Sequence, residues 1–302
     1  MTVPYTKPAL TFDEQLNLLA ERGLIIDNRA AALNNLSKIS YYRFSGYCLP
    51  FKDYLDHFRP GTTWERVMDL YEFDRKLRIL AMDAVERVEV AIRTEVTYAL
   101  AHTYGPFCYL DPACFRSSFQ HAQWLDKLTV EVRKSRETFI RHFIDKYDGF
   151  PGLPIWMATE VMSFGSLSRL YEGMKSPDQQ KVSSLYGIPR QVLHTWLRTL
   201  AFIRNICAHH GRLWNRELAV APEMPTAKHG WPEEETPNQK RLFAVLVILR
   251  HLLLGQDHCN DWCWRITDLL DPIATEDRFR RSMGLPENWK SHKRWETGGG
   301  GE

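Results

Sequence analysis

The sequence predicts an all-α protein, a helical bundle with short accessory helices at its N- and C-terminal ends. Apolar residues recur at steps of three and four over long stretches, strand-type alternation is scarce, and Gly and Pro fall between the periodic stretches. Size and composition agree: 302 residues with 44% hydrophobic and 25% charged side chains suit a folded chain with a sizeable core.

Taken in order, Thr11 and Glu14 have the spacing of a capping box that opens a short helix ending at Gly23. A second short helix is expected from Asn28 to Leu36, followed by the aromatic and basic segment Ile39 to Tyr47. Leu70, Phe73, Leu77, Leu80, Ala84, Val88, Ile92, Val96 and Ala99 carry the strongest helical signal, from Trp64 to about His102, as one long helix or two. Gly105-Pro106 ends it. A charged helix is expected from Gln120 to Tyr147, then an apolar one from Ile155 to Met174 broken near Gly165. Ser176-Pro177 reads as a turn, and Gly187-Ile188-Pro189 opens the next helix. A Pro-rich loop from Pro222 to Pro237 contains the acidic run Glu233 to Glu235, expected to be solvated. Apolar helices over about Gln239–Leu254 and Asn260–Leu270 follow, and Gly298 to Glu302 resembles an appended linker. The expected organisation is an accessory region over 1–60, a helical core over 61–221, a C-terminal region over 222–295 and a tail over 296–302.

The net charge is only +2, from 39 basic and 37 acidic residues, so nucleic-acid binding has to come from local clustering. No apolar run approaches the ~18–20 residues that span a bilayer, and the N-terminal residues lack the apolar core of a signal peptide, so no membrane partner and a cytoplasmic location are expected. Six cysteines do not suggest a disulfide scaffold. Cys259 and Cys263, with His251 and His258 nearby, could be imagined around a metal, but their spacing fits no common zinc pattern. No cofactor or metal is expected.

Chemistry concentrates in Leu200 to Arg212. Arg204 continues the apolar stripe of Leu193, Leu197 and Leu200, where a cation needs a carboxylate or a phosphate; Glu86, Glu89 and Glu160 are the candidate acids. Asn205 and His209 are four apart and share a helical face. His210 is a second possible proton-transfer group. Arg212 and Arg216 would fall near His209 on a continued helix and could bind flanking phosphates. These residue types suit RNA cleavage by the substrate's own 2′-hydroxyl. A histidine moves a proton, an arginine fork holds the phosphate, and no metal is required because the nucleophile belongs to the RNA. Tyr42 and Arg43, within the aromatic run, offer a stacking ring and a cation for single-stranded RNA, although such runs are commonly core.

Arg204-Asn205 followed by His209 matches the Arg-x(4–6)-His signature of HEPN ribonucleases. The chain further resembles the bacterial abortive-infection (Abi, AbiD/AbiF-like) phage-defence family over roughly residues 10–225. The resemblance is carried by Ile39 to Tyr47, Tyr71 to Arg78, Glu86 to Arg93, Pro154 to Trp156, Ser163 to Leu167 and Arg204 to Arg216. It implies a HEPN-like core, defence against phage and, in some members, a small non-coding RNA partner.

In an unbroken helix Arg204 and His209 point about 140° apart. A bend near Ala208, a long reach by Arg204 or a second protomer could bring them together, and the pairing of two motifs in HEPN nucleases makes a homodimer the expectation. Two other functions compete: a protein that holds a small RNA without cutting it, and a helix-turn-helix regulator using residues 11–47.

Overall fold

The computed structural model describes residues 3, 4, 6, 8–231, 236–254 and 259–295. Glu233 to Glu235, His258 and the tail 296–302 lie outside the described residues. Among those described there are thirteen α-helices and no strand, only isolated bridges, so the all-α expectation holds. The chain divides into two compact units, Met1–Lys76 and Leu77–Glu302.

In the first unit, α1 (Phe12–Glu21) opens with the expected capping box. Glu14 N–H donates to the Thr11 hydroxyl at 3.3 Å while the Glu14 carboxylate accepts from Thr11 N–H at 2.7 Å. The helix stops before Gly23, whose φ of +92° only glycine adopts without strain. Asn28 caps α2 (Arg29–Ile39) through its side chain, which accepts from Ala31 N–H at 2.9 Å. Ser40 ends α2 and caps α3 (Tyr41–Cys48). The aromatic run is split by the period of α3. Phe44 is fully buried and stacks on Trp64 at 4.1 Å, and the buried Tyr47 donates its hydroxyl to Asp74 at 2.7 Å; Tyr42 on the other side is 89% exposed. The long apolar period is one helix, α4 (Trp64–Tyr104), 41 residues without a break.

In the second unit, α5 (His121–Lys134) and α6 (Thr138–Lys146) replace the single helix expected over Gln120 to Tyr147. Ser135 and Glu137 adopt extended ψ of 140° and 141°, which interrupts the helix without glycine or proline. The stretch after Pro154 also breaks elsewhere than expected. α7 (Ile155–Ala158) is one turn, and Ser163 caps α8 (Phe164–Gly173), so Gly165 lies inside a helix. Glu131 of α5 fixes that cap by accepting from Ser163 N–H, the Ser163 hydroxyl and the Ser166 hydroxyl at 3.3, 2.8 and 2.9 Å, a carboxylate at the positive end of a helix. Ser176-Pro177 is not a separate turn but the start of α9 (Ser176–Ser184); proline fits there because its missing N–H would have had no helical acceptor.

The core is built on α10 (Arg190–Ala208), which packs on α8, α9 and α11 (Leu242–Leu253). Leu193, Trp196, Leu197, Leu200 and Ile203 are fully buried. α11 is buried on nearly all sides, from Leu242 through Leu249, as its apolar composition requires. It is followed by α12 (Cys259–Ala274) and α13 (Asp277–Met283), the latter unanticipated. Trp262 of α12 donates its indole N–H to Leu80 O at 2.8 Å and so fastens α12 to α4. Cys48, Cys108, Cys114, Cys207 and Cys263 are all buried; burial pushes the Cys48 thiol up to about 12 and the Cys108 thiol to about 11. His251 donates through Nε2–H to the Tyr186 carbonyl at 2.9 Å, and burial lowers its pKa. No helix among the described residues is long and apolar enough to cross a membrane.

Candidate active site

The helix that carries the chemical motif ends inside it. α10 stops at Ala208, with His209 as its C-cap at φ −92° and ψ 14°. His210 follows at φ +56°, in the left-handed region. His210 N–H donates to Cys207 O at 3.0 Å and Gly211 N–H to Ile206 O at 2.8 Å. This pair of bonds is a Schellman turn, which satisfies two of the carbonyls a helix end leaves open. Glycine or asparagine usually occupies its left-handed position, and here a histidine does, at a cost of roughly 1–2 kcal/mol. Gly211 serves the turn differently: a Cβ there would stand 3.2 Å from Ile206 Cγ2 and 3.3 Å from Ile206 O, tighter than ordinary packing. Buried Leu213 and Trp214 then anchor the departing chain.

Arg204 lies at the half-exposed end of the buried α10 stripe, and Asn205, His209 and His210 are exposed. The Arg204 guanidinium donates to the Asn205 amide oxygen at 3.5 Å, a long bond. The amide therefore touches the arginine, and no hydrogen bond joins the His209 imidazole to Arg204 or Asn205; only the backbone links them, His209 N–H donating to Asn205 O at 3.0 Å. Among the described residues no carboxylate lies within 4 Å of Arg204. Glu89 of α4, one of the three candidate acids, feels the Arg204 charge. Burial raises the Glu89 carboxyl, while Arg93, at 2.7 Å, and then Arg204 oppose that rise. Arg93 is further held by Met162 O at 3.1 Å. Glu89 thus lies amid two guanidiniums, of which only Arg93 hydrogen-bonds to it.

Arg212 and Arg216 do not lie on a continued α10, because the Schellman turn redirects the chain. The turn nevertheless brings Arg216 back to the motif. Its Nε–H donates to Arg212 O at 3.0 Å, and its guanidinium lies 3.7 Å from where a Gly211 Cβ would be. Arg204, Asn205, His209, His210, Arg212 and Arg216 consequently belong to one helix end and its exit turn. Tyr42 and Arg43 are on α3 in the first unit. Arg93, part of the Glu86 to Arg93 stretch, was not among the expected site residues; its signal in the sequence is the Glu89/Arg93 pair, one helical turn apart on α4.

Such an arrangement can do two things chemically. A guanidinium with no close carboxylate and a cationic turn can receive a phosphate. Exposed imidazoles on the same helix end can exchange protons with a bound hydroxyl near neutral pH.

A family model described as Abi-like protein matches residues 34–215, over half of the chain, and includes the whole of α10 and the Schellman turn that ends it. No curated protein and no solved structure matches the chain significantly. On the extent of the family match, the chain belongs to the Abi-like protein family.

Proposed function

We propose that this protein is a metal-independent endoribonuclease of the HEPN type that acts in the cytoplasm in abortive infection, as a defence against phage. The observation that carries this reading is the exposed His209–His210 turn at the end of α10, about one turn beyond an Arg204 that has no carboxylate within 4 Å among the described residues. In the proposed reaction the substrate 2′-hydroxyl gives up its proton and attacks the adjacent phosphorus. The P–O5′ bond breaks, and the departing 5′-oxygen takes a proton. His209 exchanges a proton with one of these oxygens, Arg204 donates to the non-bridging phosphate oxygens, and Asn205 positions the arginine through their shared hydrogen bond. Arg212 and Arg216 hold flanking phosphates, and Tyr42 and Arg43 form a separate contact to RNA. Because His209 follows Arg204 by five residues and projects from a different side of the helix end, a homodimer supplies the facing half of the site.

The test is purified protein incubated with total RNA in EDTA, beside His209→Ala and Arg204→Ala. Cleavage by the unmodified protein alone, leaving 2′,3′-cyclic phosphate ends, is the expected result, with losses of about 10²–10⁴-fold for His209→Ala. Equal cleavage by His209→Ala would sink the assignment. Tight retention of RNA without any cleavage would instead establish an RNA-holding protein.

A further inference from the structure

On the second unit, beside the Pro154-Ile155-Trp156 stretch, α4 and α7 enclose a groove of about 430 Å³. Its lining includes Arg93, Thr94, Tyr98, His102, Trp156 and Glu160. The volume falls within the usual range of small-ligand sites, about 300–1,000 Å³. Two large rings are left open there: Tyr98 is 66% exposed and Trp156 51%. Tyr98 already pairs with the His102 ring, centroids 4.1 Å apart and planes tilted by 43°. The groove is preformed, because the Thr97 and Thr159 hydroxyls bond at 2.9 Å across its floor and Thr159 donates on to Ile155 O at 2.9 Å.

We infer that this groove is a nucleobase subsite for single-stranded RNA, in which Tyr98 and Trp156 stack on a base that flanks the scissile phosphate. The inference rests on the ribonuclease reading for its direction along the strand, and on the groove itself for the ligand. Aromatic walls favour a flat ring with a π-face, and base–aromatic stacking tolerates any sequence. Glu160 selects against a phosphate in the groove, yet its carboxylate can accept from the exocyclic amine of a base. Arg93 is tied to Glu89 and Met162 O, so it shapes the end of the groove rather than capturing a free anion. Arg93 links the groove to the motif, since it lines the groove and hydrogen-bonds at 2.7 Å to Glu89, the carboxylate that feels the Arg204 charge. Duplex RNA keeps its bases stacked inside and cannot offer one.

The experiment uses the full chain and a fluorescein-labelled 12-mer of 2′-O-methyl RNA, which keeps its bases but lacks the attacking hydroxyl. Anisotropy gives the dissociation constant for the unmodified protein, Tyr98→Ala, Trp156→Ala and Trp156→Phe, against the single strand and its duplex. Both alanine variants should bind the single strand about five- to a hundredfold more weakly, with Trp156→Phe close to the unmodified protein and duplex affinity unchanged. Thermal melting of each variant establishes that it is folded; both rings are exposed enough to be removed without opening the core. Unchanged single-strand affinity in folded alanine variants would overturn the subsite, even if the protein cleaves RNA. Weakened affinity in a protein that never cleaves would keep the subsite and overturn the nuclease reading.

Discussion

Burial raises the Glu89 carboxyl on α4 while the guanidinium of Arg204 on α10 pulls it back, even though the hydrogen bond of Glu89 goes to Arg93. The acid therefore tempers the arginine without occupying it. An ion pair at full strength would have to be broken before a phosphate could bind; a carboxylate that is bonded elsewhere leaves the Arg204 donors unoccupied by itself.

Glu89→Gln should accordingly strengthen RNA binding. It removes a negative charge that acts on Arg204 and retains a polar group for Arg93. The dissociation constant for single-stranded RNA should fall severalfold at low salt, with a smaller difference at high salt. Equal affinities at low salt would detach Arg204 from RNA binding.

The left-handed His210 separates a turn-forming role from a proton-transfer role. His210→Asn keeps a residue that tolerates this conformation and should leave the melting temperature unchanged or slightly raised and cleavage within about threefold of the original. His210→Val places a β-branched residue at φ +56° and should cost about 1–2 kcal/mol in denaturant unfolding. A large loss of cleavage in a stably folded His210→Asn would make His210 the second proton-transfer group.

A buried carboxylate predicts pH-dependent stability. Glu95 of α4 accepts from the Tyr186 hydroxyl at 3.1 Å, and its other oxygen is buried without a partner. Burial raises its pKa from the ordinary 4.5 to about 7, against the lowering effect of Tyr186. In the folded chain the proton is held more tightly than in the unfolded one. The contribution is therefore complete below pH 4.5, declines as pH rises through about 7 and is flat above it. Glu95→Gln imitates the protonated form. It should reduce the dependence over that interval and melt higher than the unmodified protein at pH 8. Identical pH profiles for the two proteins would show that Glu95 titrates normally.

Close packing at the end of α8 gives a prediction about stability alone. A Cβ on Gly173 would stand 2.6 Å from two atoms of the Phe119 ring. Gly173→Ala should destabilise the chain by about 1–3 kcal/mol in denaturant titration, and adding Phe119→Leu should restore part of the loss. An unchanged midpoint for Gly173→Ala would mean that the ring has room to move.

The elements legible in the sequence are those written in local chemistry. Thr11 with Glu14, Asn28 before α2 and the long period of α4 each state a helix in residue types alone. The break between α5 and α6 is different, since Ser135, Arg136 and Glu137 include no residue that stops a helix. Proline is ambiguous by nature: it marks turns and also the first turn of a helix, and at Pro177 the second meaning holds. At the candidate site the residue types were readable but their arrangement was not. A left-handed residue that is histidine rather than glycine conceals the end of α10, which is why Arg212 and Arg216 looked like the continuation of a helix. Likewise nothing local in the sequence marks Glu89 as an acid that feels Arg204, because the two charges meet through the fold and not along one helix.

The buried cysteines give the chain an internal clock. A thiol shielded by packing and held near 12 or 11 presents almost no thiolate, so an alkylating reagent must wait for the structure around it to open. Cys48 is the lone cysteine of the first unit, and the buried Cys108, Cys114, Cys207 and Cys263 are in the second, which also contains Cys259. Mass-resolved labelling over time would thus time the opening of each unit separately, with the reporters already written into the native sequence.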